Sequence, residues 1–403
     1  MPTNTMTFNQ VATLLNAVQQ QATGQTGIVA TNTADFVSVA NTVLQTGYDP
    51  VLNAINQVLT RTIFSIRPYS RKFGLVEVSE SAYGGHIRKL QIADKPVLED
   101  DRYKWPVAYD ASQNPASGDG QVPPDMYQMN KPVVLQTNFY GANVWSDSYP
   151  IYRDQMTSAF TGPEQMGEFF TMITQNCMDK LEQCRENMGR ACVANFIGGI
   201  LDENQSDRVI HLLTEYNTLT GLSLTAQTVM QPANYKAFIQ WAYARIITIS
   251  DLMTERTQAM QTVVNGLPIM RHTPKANQKM MIYAPASNMM TTMAVADVYH
   301  NELLSMGAYE TVNFWQSIKA PDTISVTPGR IGANGSVVTG NALVQANVFG
   351  VIFDEEALGY ATTQQWSAPT PFQARAGMSQ LWLHETQKLY NDHSEKGVVL
   401  LLD

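Results

Sequence analysis

The stretch Pro163–Gly199, PEQMGEFFTMITQNCMDKLEQCRENMGRACVANFIGG, decides the architecture. Met166, Phe169, Phe170, Ile173, Cys177, Leu181, Cys184, Met188, Cys192 and Phe196 recur at steps of three and four, with a single step of one. That is helical spacing, sustained for about nine or ten turns. At ~1.5 Å per residue such a helix is roughly 55 Å long, against an average of about three turns. Thr161 and Gly162 precede a first-turn proline, and Glu164 suits the positive end of the helix dipole. Gly198-Gly199 reads as the stop, because paired glycines extend a helix poorly. A helix of this length overshoots a compact core. It lacks the continuing heptad of a coiled coil, so it reads as a strut whose one apolar stripe packs on a sheet. Leu381–Leu383 and Val398–Leu402 are the candidate strands beneath it.

The composition around this strut is unusual. Charged residues make up 15% of the 403 residues, against ~25% in an average soluble domain, so the surface is poorly protected against association. The net charge of −9 argues against a free-standing nucleic-acid binder, whose footprint is basic, but not against a protein that encloses nucleic acid. Cys177, Cys184 and Cys192 all lie on the strut, seven or eight residues apart. Neighbours at that spacing sit more than ~10 Å apart along a helix, while a disulfide needs under ~7 Å. They are expected to be core thiols of a protein assembled in a reducing cytoplasm. The N-terminus lacks a basic region followed by an apolar run, and no stretch reaches ~18 apolar residues. Neither Sec export nor a membrane span is expected.

Upstream of the strut, residues 1–47 contain a single charged side chain, Asp35. Phe8, Val11, Leu15 and Val18 mark one short amphipathic helix. Such a segment cannot build its own core, so it is expected to lie on a neighbouring copy. Asp49-Pro50 starts a second helix, ended by Ile66-Arg67-Pro68. Residues 67–110 then hold eight Lys or Arg and seven Asp or Glu. Leu75–Val78 and Ile87–Ile92 read as strands around Gly84-Gly85, and the chain returns through Val133–Thr137 and Asn143–Trp145. This long hairpin excursion, 68–145, has too few aliphatics for an independent core. Charges of both signs suit contact with another copy.

Downstream, Pro232 opens a helix with Tyr235, Phe238, Ile239, Ala242, Ile246, Ile249 and Met253 on one face. Lys279–Ala284 is a strand and Asn288–Met306 a helix. Ile324–Thr327 and Val337-Val338 are short strands, and Ala346–Phe353 is the strongest strand of the chain. Tyr360–Met378, rich in Thr, Gln and Pro, reads as connection.

Motifs for chemistry are scarce. Gly332-Ala333-Asn334-Gly335-Ser336 lacks the lysine and following helix of a phosphate loop. His384-Glu385 has Lys388 where a zinc helix needs its second histidine. His86, His211, His272, His300, His384 and His393 are scattered. Asp354-Glu355-Glu356 is the one carboxylate cluster. It reads as a helix or turn start, with a metal or general-base site at a strand end as the sharper alternative. Arg185 and Arg190 on the strut suit neighbouring acids as well as phosphate. No catalytic, cofactor-binding or metal-ligating residue is expected.

The order of parts is distinctive: an uncharged arm, a short helix, a long charged hairpin, one very long helix, a compact α/β region and closing strands. This order resembles the HK97-like fold of tailed-bacteriophage major capsid proteins, shared with encapsulins. The segment Asn347-Val348-Phe349-Gly350-Val351-Ile352-Phe353-Asp354-Glu355-Glu356-Ala357-Leu358-Gly359 is similar to the strand and acidic turn near the C-terminus of many such proteins. The resemblance implies an α+β fold: an N-terminal arm (1–47), a helix leading into the peripheral domain (48–67) and an extended loop (68–145). A peripheral domain (146–204) carrying the spine helix 163–199 follows, then an axial domain (205–345) and strands returning to the peripheral domain (346–403). It implies hexamers and pentamers closing into an icosahedral shell around double-stranded DNA. A portal and a separate scaffolding or cement protein are implied as partners, a virion location after assembly in the host cytoplasm, and no enzyme activity. The alternative is an encapsulin-like compartment around a cargo enzyme; an enzyme using the carboxylates at 354–356 is the remaining one. Some relatives cross-link a loop lysine to a neighbour. Lys72, Lys89, Lys95 and Lys104 lie in the matching loop, and nothing in the sequence singles one out. Some lose an N-terminal segment to a protease; the absence of a long charged leader implies that this chain does not.

Overall fold

The computed structural model describes residues 8–24, 32–47, 49–51, 54–55, 73, 76, 87–93, 133–139, 143–267, 269–286, 288 and 308–403. In chain order come helices α1 (Phe8–Thr23) and α2 (Thr33–Gln45), then strands β1 (Ile87–Ile92), β2 (Val134–Phe139) and β3 (Asn143–Tyr152). Helix α3 (Arg153–Ala159) leads into the long helix α4 (Pro163–Glu203), followed by β4 (Val209–His211), α5 (Leu212–Thr220) and α6 (Pro232–Thr254). The remaining strands are β5 (Gln278–Tyr283), β6 (Ala308–Val312), β7 (Ile324–Val326), β8 (Gly329–Ile331), β9 (Val337–Thr339), β10 (Leu343–Gln345), β11 (Val348–Asp354), β12 (Leu358–Pro369), β13 (Met378–Asn391) and β14 (Gly397–Leu401).

The spine helix α4 is longer than its sequence signals. It runs through Gly198-Gly199 to Glu203 and ends where Asn204 adopts a left-handed conformation, φ 50°. The two glycines are there for close approach, not termination. A Cβ on Gly198 would sit 2.5 Å from Val326, and one on Gly199 would collide with the His393 ring. Packing of these backbones outweighs the helix penalty of about 1 kcal/mol per glycine. The apolar stripe is confirmed, with Met166, Ile173, Met188, Cys192 and Phe196 all buried.

Two sheets lie along this helix. Toward its C-terminal end is a five-stranded sheet in the order β4-β14-β11-β5-β6. The outer pairs β14–β4 and β5–β6 are parallel and the inner pairs antiparallel. Every residue of β11 and β14 is buried, because both faces are covered. Phe349, Ile352, Val398 and Leu400 face α5 and α6, packing with Phe238, Ile246 and Met253. Val351, Phe353, Val399 and Leu401 face the spine, packing with Phe196, Ile197 and Ile200. Farther along is a three-stranded antiparallel sheet in the order β12-β13-β3. The expected connection at Tyr360–Met378 is therefore largely strand. Its Thr and Gln side chains read as loop in isolation, but the backbone forms a ladder from Leu358↔Asn391 to Pro369↔Leu381, broken only by a bulge at Thr363.

The N-terminal arm also departs from expectation. Its described residues form two helices, and they close on their own chain. Asn32 caps α2 by accepting from the Asp35 N–H at 2.9 Å. Val11, Leu15, Val18, Phe36, Val39 and Val43 form one core with Ile151, Met156, Phe160, Met166, Phe169, Ile173 and Leu381. The arm lacks a core of its own because the N-terminal half of the spine supplies the other side. Asp49–Val51 and Ala54-Ile55 are helical as expected.

Strand β1 pairs with β2, from Ile87↔Phe139 to Ile92↔Val134, and β3 leaves to join β13. Most of the expected strand Leu75–Val78, the Gly84-Gly85 turn, residues 94–132, Lys72, Lys95 and Lys104, the remainder of the helix before Pro68, and the helix after Asn288 lie outside the described residues.

Candidate functional site

The hairpin β1–β2 has two dissimilar faces, and its root is where charge concentrates. Alternation along the strands turns Lys89, Gln91 and Leu135 inward. The Lys89 ammonium lies 3.1 Å from Asp392 Oδ2 and 3.3 Å from Glu356 Oε2, and it contacts Glu395 Oε1. Arg271 reaches the same carboxylate, donates to Ser394 Oγ at 3.0 Å, and donates to the Gln91 side-chain oxygen. All of this converges on the turn Asn391–Lys396 between β13 and β14.

That turn is polar yet buried. Asp392, His393 and Lys396 have no exposed surface, and Ser394 and Glu395 almost none. Asp392 Oδ1 accepts from the Ser394 N–H and hydroxyl. Lys396 Nζ donates to the Glu255 carbonyl at 2.7 Å. Burial alone would raise the Asp392 carboxyl pKa. The nearby Lys89 charge, the Ser394 hydroxyl and Arg271 hold it below the usual range instead. His393 stacks on Phe196 with centroids 5.1 Å apart, and neither ring nitrogen has a partner in hydrogen-bond geometry. Burial, reinforced by the Arg208 charge, pushes its pKa down to about 3, although Asp392 and the Phe196 backbone pull the other way. Arg208 itself is fully buried, donating to Glu203 Oε2 at 2.9 Å and Thr262 Oγ1 at 2.8 Å. The root thus ties hairpin, spine and five-stranded sheet together.

The outward hairpin face is mixed: Leu90 is 62% exposed, Ile92 64% and Val134 56%, and they share the face with exposed Arg88 and Gln136. A second exposed surface lies on the three-stranded sheet. There Trp366, 50% exposed, stacks on His384 at 3.9 Å, and His384 lies parallel to Trp382 at 6.1 Å. Exposed apolar patches mark interaction surfaces.

The carboxylates at 354–356 are engaged by groups of their own chain. Asp354 accepts from Thr273 Oγ1 at 2.7 Å and from the Glu356 N–H at 2.9 Å, which makes a turn. Glu355 accepts from Asn277 Nδ2 at 2.6 Å, and Glu356 faces Lys89. Among the described residues no group of three or more His, Cys, Asp or Glu is placed to hold a metal. The three cysteines are free thiols; burial pushes Cys177 up to about 11 and Cys192 up to about 12. Arg185 and Arg190 are both taken by acids of their own chain. Arg185 makes a bidentate pair with buried Glu385 at 2.9 Å for each bond, and Arg190 pairs with Glu186 at 2.5 Å. Burial would raise the Glu385 carboxyl, but hydrogen bonds from Arg185, Gln365 and Gln387 hold it low. Among described helices none is long and apolar enough to cross a membrane.

Sequence patterns do not expose the root. Asn-Asp-His-Ser-Glu-Lys between two strands reads as a solvated turn, and Lys89 lies about 300 residues from its partners. The one usable signal was a lysine facing inward on a strand whose outward neighbours are Leu90 and Ile92.

Comparison with known proteins gives a family. The model described as "Phi29-like phage major capsid protein" matches residues 15–401. No curated protein sequence matches. The fold is similar to the capsid structure of Staphylococcus phage Andhra, with a TM-score of 0.51 and 10% identity over 85% of this chain and 87% of that one. The structure of head fiber and inner core protein gp22 of native bacteriophage P68 aligns at 0.49, with 9% identity over 85% and 87%. The capsid structure of the cyanophage P-SCSP1u aligns at 0.46, with 10% identity over 85% and 90%. The α+β, HK97-like fold expected from the order of elements is the fold observed.

Proposed function

Because the chain belongs to the family of Phi29-like phage major capsid proteins, whose role is to form the virion shell, we propose that its copies close as hexamers and pentamers into an icosahedral shell around double-stranded DNA. The family match over residues 15–401 is the observation that carries this. It favours a genome over a cargo enzyme as the contents, and a structural role over catalysis. Partners are further copies, a portal, and a separate scaffolding or cement protein; assembly takes place in the host cytoplasm. The division into arm (1–47), connecting helix (48–67), extended loop (68–145), peripheral domain (146–204), axial domain (205–345) and returning strands (346–403) belongs to the same proposal.

The outward face carrying Leu90, Ile92 and Val134 is the part of the loop that meets the next copy. Apolar side chains this exposed are costly to leave in water, at ~25 cal/mol per Å². Contacts summed over the subunit should reach the class of about 2,000 Å² or more that permanent assemblies use. With a net charge of −9, the shell should hold DNA through few phosphate contacts.

Electron microscopy of the purified chain tests this. Wild type should form closed shells of uniform size. The double variant Leu90→Lys/Ile92→Lys should remain folded by circular dichroism, since both side chains already face solvent, yet form no shells. Normal shell yield from the variant would remove the hairpin face from the contact.

A further inference from the structure

We infer that Lys89 is a positioning residue: its ammonium, held between Asp392 and Glu395, fixes the angle at which the hairpin leaves the subunit and so the angle between neighbouring copies. This rests on the proposal that the hairpin meets the next copy.

The hairpin has no ladder to orient it. Strands β1 and β2 form a two-stranded sheet of their own, hydrogen-bonded to no strand of another sheet among the described residues. An isolated two-stranded hairpin is marginal without packing against something else. Its inward contacts are therefore side chains. Leu135 is buried, and the Phe139 ring lies 5.5 Å from Tyr390 at a tilt of 50°. Such apolar contacts are non-directional and tolerate sliding. The ion pairs do not. Lys89 sits against three carboxylates at once, and the Asp392 carboxylate is held in place by Ser394 in a fully buried turn.

Charge balance explains why the position is tightly held. Lys89 and Arg271 together face Asp392, Glu395 and Glu356. If the hairpin tilts and withdraws Lys89, those three carboxylates lose their nearest cation and keep Arg271, with the more distant charge of Arg208 felt by Asp392. Buried charges that lose a partner are strongly destabilising. The side-chain exposures grade the anchor, from 0% for Asp392 and 6% for Glu395 to 68% for Glu356, so Glu356 contributes least. A contact between copies closes into a defined assembly only if its rotation is fixed; otherwise it runs on into open or irregular arrays. A hairpin hinged at its root transmits any loss of angle directly to that rotation.

The test uses the full chain with Lys89→Met and Lys89→Arg under identical assembly conditions. Shell diameters are measured by electron microscopy and amide hydrogen exchange over residues 87–92. Lys89→Arg should keep wild-type diameters. Lys89→Met should exchange at least ten-fold faster at 87–92 and yield mixed diameters or open sheets. A wild-type diameter distribution from Lys89→Met overturns the inference. Should Lys89→Met be insoluble, Lys89→Gln removes the charge and keeps a donor for Asp392; uniform wild-type shells from it count equally against the inference. Wild type that forms no shells would sink the assembly proposal instead. Exchange then still judges the root, since unchanged rates at 87–92 in Lys89→Met overturn its positioning role.

Discussion

The two segments that precede the spine are held to the rest of the subunit by different physics. The arm helices α1 and α2 dock through a core of aliphatic and aromatic side chains, and their only charged residue, Asp35, lies outside that core. The hairpin adds to its apolar contacts at Leu135 and Phe139 a charged one, through Lys89, Gln91 and a buried turn containing Asp392, His393 and Glu395. Apolar burial is strong but indifferent to angle. A buried ion-pair cluster adds little net stability, yet it penalises every geometry but one. The difference teaches that one attachment supplies the spine with cover and the other supplies direction. Four predictions probe that contrast.

Deleting residues 1–47 should have the largest effect. It uncovers Met166, Phe169, Ile173, Ile151 and Leu381, each worth about 1.5–3 kcal/mol when buried. Hydrogen exchange should show residues 163–175 losing protection while 348–354, enclosed by a separate core, retain it. Protection retained at 163–175 would mean that the arm is not the cover. Leu15→Ala, at a fully buried position of the same core, should cost about 2–5 kcal/mol in urea titrations. That loss should be the same in low and high salt. A salt-dependent loss would break the contrast.

Gly199→Ala addresses the point where spine and turn touch. The added methyl meets the His393 ring, so overpacking should cost about 1–3 kcal/mol. The fourth prediction is the smallest near neutral pH. A folded pKa of about 3 for His393, below its unfolded value of ~6.5, means that the unfolded chain binds the extra proton first. Stability is complete well above pH 6.5 and falls with acid, by about 1.4 kcal/mol at pH 5.5. His393→Leu should flatten that slope. The buried Asp392, held low, adds a loss of the same sign only below about pH 4. The arm core contains no acid or histidine, and Tyr149 beside it titrates only in alkali, so it should not respond in either window.

Much of this architecture was legible in the chain. Three-and-four spacing from Met166 to Phe196 identified the spine, and the apolar runs at Leu381–Leu383 and Val398–Leu402 identified strands beneath it. Local signals failed where tertiary contact overruled them. Gly198-Gly199 looked like a stop because close approach to Val326 and His393 has no local trace. Thr362, Gln364 and Gln365 looked like loop, although their backbones pair with β13. The arm looked homeless because its other half lies on the spine. The root was the least legible part: burial of Asp392–Lys396 and the reach of Lys89 to it both depend on residues far apart in sequence.

The central claim is that the hairpin leaves each subunit at an angle set by Lys89 and covers a neighbour with its outward face. A cryo-electron microscopy reconstruction of assembled shells tests it most directly. The account predicts Leu90, Ile92 and Val134 buried against a second copy, with Lys89 still between Asp392 and Glu395 of its own chain. Solvent over those three side chains in the closed shell, or Lys89 turned away from both carboxylates, would contradict it.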